Sequence, residues 1–169
     1  TDTVTGSITG TQSNITVTPG TAASLLVNGI ISPVVAGSTR SVVVTAQDTY
    51  GNTATGYTGT VAFTSSDSAA SLPGNYAFVG GDSGTHTFTG GVTLVTAGTH
   101  SVTATDTVTS SINGSQTSIT VVAGPASNLQ VTGIISPVIA GDARSVTVKA
   151  VDGYGNTAGS YNGTVRFTS

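Results

Sequence analysis

A tandem array of all-β sandwich units is the fold this sequence predicts, and three observations predict it. Residues 1–65 align without a gap onto residues 105–169, a period of 104, and about 42 of those 65 positions are identical. Self-similarity at a fixed period marks a repeat architecture, so fold and function are argued per repeat. Within the repeated stretch, kept and changed positions alternate with period two, the spacing of a strand with one buried face. Thr and Ser make up about a third of the chain, while Leu, Lys and Glu are scarce. β-Branched residues suit a pleated, half-buried surface, and no window carries a 3.6-residue apolar period, so no helix is predicted.

The alternation is clearest over 40–48. Val42, Val44, Ala46 and Asp48 recur as Val146, Val148, Ala150 and Asp152, whereas Val43, Thr45 and Gln47 become Thr147, Lys149 and Val151. Leu25 and Val27 alternate in the same way with Leu26 and Asn28, and Val61 and Phe63 flank Ala62, which becomes Arg166. Ile15 and Val17 match Ile119 and Val121. A complete repeat then reads as seven strands, near 23–30, 40–48, 57–64, 75–79, 85–95, 99–106 and 115–122. Gly90-Gly91 interrupts the fifth and predicts a bulge or bend. Turns are expected at Pro33 with Gly37, at Tyr50-Gly51-Asn52, at Pro73-Gly74-Asn75, at Gly80-Gly81-Asp82 and at Ala97-Gly98. About seven short strands in a unit of this length is the signal for an immunoglobulin-like β-sandwich.

The period sets the expected boundaries. Residues 1–19 are the C-terminal strands of a preceding repeat, 20–123 a complete repeat, and 124–169 the first three strands of a following one. The chain is thus expected to begin and end inside repeats. The joints Gly20-Thr-Ala and Gly124-Pro-Ala offer no long flexible linker, so neighbouring repeats should be closely coupled.

Charge and composition narrow the function. Four Lys+Arg face seven acids, all of them Asp, for a net charge of −3. Nucleic-acid binding needs clustered basic residues to displace counterions, and none are clustered here. No apolar run is long enough to span a membrane. Cys, Met and Trp are absent, which excludes disulfides and thiolate metal sites and removes the side chains most open to oxidation. Low charge with abundant hydroxyls suits an extracellular surface, secreted or attached to a cell.

The stretch Ala36-Gly37, then Val42-x-Val44-x-Ala46-x-Asp48-x-Tyr50-Gly51-Asn52, then Tyr57-x-Gly59-Thr60-Val61-x-Phe63-x-Ser65 resembles the tandem bacterial immunoglobulin-like repeats, Big and invasin-type, of large surface proteins and adhesins. Asp82-x-Gly84-x-His86-x-Phe88 and Ala97-Gly98-Thr99-His100-x-Val102 resemble them too. The resemblance covers the whole chain. It implies the sandwich fold and an array context, and it leaves the ligand open, since such repeats usually serve as stalks.

Each candidate site competes with a structural role. Asp48 and Asn52, with Asp82 and Asp106, are calcium candidates, because carboxylate and amide oxygens are hard ligands. No Asp-x-Asp-x-Asp spacing gathers them or Asp67, and the competing reading of Asp48-Thr-Tyr-Gly-Asn52 is a turn. In that turn Asp accepts from the following amides, Gly51 supplies positive φ, and Tyr50 folds over the sandwich edge. His86 and His100 are read as hydrogen-bonded structural residues. With no Gly-x-Ser-x-Gly elbow and no Glu, catalysis by Ser-His-Asp or by paired carboxylates is not expected. The single lysine, Lys149, replaces Thr45 of the other copy, so no repeat-encoded isopeptide is expected. Thr–Gln ester links through Gln12 or Gln116 stay open. The sequons at Asn14, Asn113 and Asn162 do not recur between copies.

The expected function is a structural, non-catalytic repeat that forms a stalk or filament of a secreted or cell-surface protein, partnered by neighbouring repeats. The alternative is an adhesin module that recognises glycan or protein through its loops, with Tyr50, Tyr57 and Tyr76 as aromatic platforms and calcium as a stabiliser. A third possibility is assembly by strand exchange at open sheet edges.

Overall fold

The computed structural model describes residues 1–168, and strands form over most of the alternating stretches between 23 and 122. In chain order they are β1 (Ser24–Asn28), β2 (Val34–Val35), β3 (Thr39–Gln47), β4 (Thr60–Ser65), β5 (Tyr76–Ala77), β6 (Thr85–Thr93), β7 (Gly98–Asp106), β8 (Asn113–Val122), β9 (Asn128–Thr132) and β10 (Thr147–Val151). A 3₁₀ turn covers Gly80–Asp82. The chain is all-β. Two sheets dominate: a three-stranded one in the order β1-β3-β6 and a five-stranded one in the order β2-β8-β7-β4-β5.

The two sheets enclose one core, an arrangement consistent with a β-sandwich. Leu25, Val27, Val42, Val44, Ala46 and Val92 of the first sheet share it with Val61, Val102, Ala104, Ile119 and Val121 of the second. All of these are buried, and the intervening Thr45, Gln47 and Ala62 remain partly exposed on the outer faces, as the alternation predicts. Each buried Val or Leu contributes roughly 1.5–3 kcal/mol relative to leaving it in water. An aromatic cluster closes one side: Phe63 and Phe88 meet edge to face at 4.8 Å, and Tyr57 and Phe78 at 5.1 Å. Phe63, expected in the core, is half-buried; it lies at the core margin with Phe88 against it.

Both sheets carry a bulge. Opposite Ser41, β6 accommodates Thr89-Gly90-Gly91 where a single residue would pair, and Gly90 (φ +60°) donates its amide to Ser41 Oγ at 3.1 Å. The glycine pair predicted this one. A second bulge, at Thr117-Ser118 opposite Ser101, carries no such marker; Ser118 adopts φ +58° and its copy Asn14 φ +60°. Gly114 on β8 lies so close to the Leu25 carbonyl of β1 that any Cβ would collide with it.

Several elements depart from expectation. β2, a two-residue parallel partner of β8, was not predicted; it moves the chain from the first sheet to the second after Gly29 turns it at φ +98°. β4 begins at Thr60 instead of 57, because Tyr57 closes a turn on the Ala54 carbonyl at 3.0 Å and points its side chain inward. Residues 1–19, expected to hold strands, form none, and Ile15 and Val17 stand exposed. Their copies at Ile119 and Val121 lie in β8, which is held between β7 and β2. In 124–168 two strands form instead of three: β9 and β10 pair, while 160–168 carries none.

Candidate functional site

Carboxylates organise the loops of this molecule, and four of them are buried: Asp48, Asp67, Asp106 and Asp152. Burying a charge is costly unless it is fully hydrogen-bonded, so their partners define what these residues do. Asp48 accepts from the amides of Tyr50 and Asn52 through Oδ1, each at 2.9 Å, and from Gly20 through Oδ2 at 2.9 Å. The Asn52 side-chain amide adds a bond to Oδ2 at 3.0 Å. The Gly20 amide, then the Asn52 side chain, hold the Asp48 carboxyl down at about 2. Gly51 supplies the positive φ of +82° that the turn needs. These contacts match the turn read from the sequence, with one correction: Tyr50 does not fold over the sandwich edge but stands 89% exposed.

The copy of this loop is built alike and placed differently. Asp152 accepts from Tyr154, Asn156 and Gly124 at 2.9 Å each. Burial pushes its carboxyl up, but the Asn156 side chain and these amides outweigh that and bring it to about 2. Asn156 also reaches the body formed by β1–β8. Its Nδ2 donates to the Val95 carbonyl at 2.7 Å, and its Oδ1 accepts from the Ala97 amide at 2.8 Å. The Tyr154 ring lies over Gly37, where any Cβ would strike its Cε2 and hydroxyl. Gly20 and Gly124, the two expected joints, are thus each pinned to the aspartate 28 residues ahead.

Asp67 and Asp106 each cap their own loop and tie it to a segment distant in sequence. Asp67 accepts from the Val95 amide at 2.7 Å, from the Thr96 amide at 3.0 Å and from the Thr96 hydroxyl at 2.8 Å. Asp106 accepts from Val108 and Thr109 amides at 2.8 Å and from the Tyr57 hydroxyl at 2.5 Å. At both, burial raises the carboxyl and the hydrogen bonds more than offset it, leaving it below the ordinary range. Burial, then Asp106, pushes the Tyr57 phenol well up. Asp82 receives the Val79 amide at 2.8 Å and His86 Nδ1 at 2.9 Å, with the Tyr76 hydroxyl 3.2 Å from both oxygens. The Tyr76 ring stacks on His86 at 3.9 Å.

The calcium candidates are therefore dispersed. Asp48 and Asn52 meet in one loop, while Asp82 and Asp106 each serve a different one, and every carboxylate oxygen set is occupied by N–H or O–H donors. Among the described residues no group of three or more carboxylates or histidines could hold a metal. Ser66 and His100 do come together, Oγ to Nδ1 at 3.3 Å, yet Nε2 faces the Thr96 carbonyl at 2.8 Å where a triad would have a carboxylate. That pair ties the bend after β4 to the start of β7. Gln116 places its amide across Ile30, accepting at 3.0 Å and donating at 2.6 Å, so its side chain extends a backbone ladder. Tyr57 is buried and Tyr76 half-buried, which leaves Tyr50 as the exposed ring among the three proposed platforms. An open groove of about 730 Å³ runs between Thr18–Ala22, Ala54–Gly59 and the loop after Asp106.

The sequence reading missed the reach of Tyr154 and Asn156 to a neighbouring body. The available signal was that Tyr50 and Asn52 recur unchanged on a loop whose other outward positions vary, as Thr49 to Gly153 and Thr55 to Gly159. No protein-family model, curated protein or solved structure matches this chain. No helix among the described residues is long and apolar enough to cross a membrane.

Proposed function

We propose that this chain is a run of tandem immunoglobulin-like repeats of the bacterial surface-protein type, and that its work is mechanical. It extends a secreted or cell-surface protein as a stalk or filament, without catalysis, and its partners are the neighbouring repeats. The observation that carries this reading is the joint at Gly124. Five residues separate the end of β8 from the start of β9, and the joint is held by Asp152 on Gly124 and by Asn156 on Val95 and Ala97. Such a joint transmits force and orientation between units instead of letting them swing. The low charge, the dense hydroxyls and the absence of Cys and Met support an extracellular setting.

Small-angle scattering on chains carrying one, two and three copies of residues 20–123 tests it. At about 3.3 Å per strand residue, each copy should lengthen the particle by roughly 40 Å. A maximum dimension that stops growing with copy number would reject the stalk. The rival reading, a loop-borne glycan or protein binder, has the exposed Tyr50 ring in its favour. A glycan array probed with the chain should stay blank, and saturable binding lost in Tyr50→Ala would favour the rival.

A further inference from the structure

The two Asp-x-Tyr-Gly-Asn loops share one chemistry and have different surroundings. The turn itself needs the carboxylate, the glycine and backbone amides. The Tyr154 ring and the Oδ1 of Asn156 contribute nothing to it and are spent on the neighbouring body, at Gly37 and Ala97. In the first loop the same two residues are present without that use. Tyr50 is 89% exposed against 57% for Tyr154, and the Asn52 side chain bonds only to Asp48. The receiving end is equally specific. Gly37, at φ +81°, leaves the flat space that the Tyr154 ring fills, and Asp67 holds the Val95 and Thr96 amides, fixing the turn between β6 and β7 whose Val95 carbonyl and Ala97 amide meet Asn156.

We propose that the Tyr50–Asn52 loop is a docking surface whose occupant is the Gly37/Val95–Ala97 end of a preceding copy of this repeat. Tyr50 seats on the glycine of that copy, and Asn52 takes its carbonyl and amide as Asn156 does here. The proposal rests on the tandem-repeat reading above. It makes each repeat two-ended, with a Tyr-Asn plug at one end and a glycine-floored socket at the other, so one pair of contacts sets the twist at every joint.

The test inserts a second copy of residues 20–123 between Ala123 and Gly124 of the full chain and follows amide hydrogen exchange residue by residue. The Ala97 amide of the first copy should be as slow as that of Ala97 in the parent chain, where Asn156 protects it. Tyr50→Ala together with Asn52→Ala in the inserted copy should speed exchange at the first Ala97 by about tenfold, the worth of one hydrogen bond. Core amides of the inserted copy, such as Val44 and Ala104, should stay slow. Tyr50→Ala alone, which removes no hydrogen bond of the loop, keeps the test independent of loop folding and should give part of the effect. Fast exchange throughout the inserted copy would overturn the repeat reading and the docking with it. A folded copy with an unprotected first Ala97 would overturn the docking alone. Protection that appears only at raised protein concentration would assign the surface to contacts between separate chains and overturn the within-chain seat.

Discussion

Residues 24–48 and 128–152 are near-copies in sequence and differ in what covers them. Their hairpins have one register: Leu25 pairs with Ala46 and Val27 with Val44, and Leu129 pairs with Ala150 and Val131 with Val148. Local pattern alone is therefore enough to pair these strands. Burial is another matter. Leu25 and Val27 are 4% and 3% exposed, but Leu129 and Val131 are 42% and 59% exposed. The first hairpin faces a five-stranded sheet across the core, and no such sheet faces the second among the described residues. Pairing is encoded within the hairpin; the sandwich requires the rest of the repeat.

The largest test of that contrast is to separate the two regions. Residues 20–123 expressed alone should unfold in one cooperative transition, while 124–169 should show none, since an isolated two-stranded ribbon is marginal in water. A cooperative melt from 124–169 would mean that the second hairpin needs no opposing sheet.

Acid gives the next effect. The carboxyls of Asp48, Asp67, Asp82, Asp106 and Asp152 all titrate below the ordinary 3.8 in the fold, those of Asp48 and Asp152 at about 2. A folded-state value below the unfolded one stabilises the fold above the unfolded value, and that stabilisation is lost as pH falls through the folded one. The melting temperature should therefore hold steady above pH 4 and drop between pH 4 and 2. A flat profile over that interval would remove the carboxylates from the stability of the loops.

A matched pair of substitutions sharpens the contrast at single residues. Leu25→Ala should cost about 2–5 kcal/mol in denaturant unfolding of the full chain. Leu129→Ala, the same change at the copied position, should stay within about 0.5 kcal/mol. Equal costs would show that Leu129 is buried in solution.

How much could be read from the residues follows the same division. The outline of β1, β3, β6 and β7, the bulge at Gly90-Gly91 and the turn at Asp48 were legible because each is marked by its own residues: the period-two alternation, the glycine pair, and an aspartate followed by Tyr-Gly-Asn. The two-residue β2, the bulge at Ser118 and the half-burial of Phe63 were not, because no residue at those positions marks them: β2 follows from its pairing with Val121 and Val122, Ser118 takes a positive φ without being glycine, and Phe63 lies at the core margin against Phe88. Of the candidate site, the aspartates were visible as oxygen donors, but their roles as caps depend on partners far along the chain, as with Asp67 on Val95 and Asp106 on Tyr57. The joint was hidden for the same reason: Asn156 meets Val95, 61 residues away.

The smallest effect should come from one hydroxyl. Tyr57 donates to Asp106 Oδ2 at 2.5 Å, while the Val108 and Thr109 amides both go to Oδ1. Tyr57→Phe therefore leaves a buried carboxylate oxygen without its donor and should cost about 1–3 kcal/mol. Its copy Tyr161 is 42% exposed, so Tyr161→Phe should stay within about 0.5 kcal/mol. Alkali gives an independent check. Burial and then Asp106 raise the Tyr57 phenol above the ordinary 10.0, so the stability it provides is complete below pH 10 and declines as pH rises beyond that. The wild type should lose melting temperature above pH 10 more steeply than Tyr57→Phe, and Tyr161→Phe should follow the wild type. If Tyr57→Phe and Tyr161→Phe behaved alike in both measurements, the two copies would be equally covered, and the contrast between the hairpins would fail at its base.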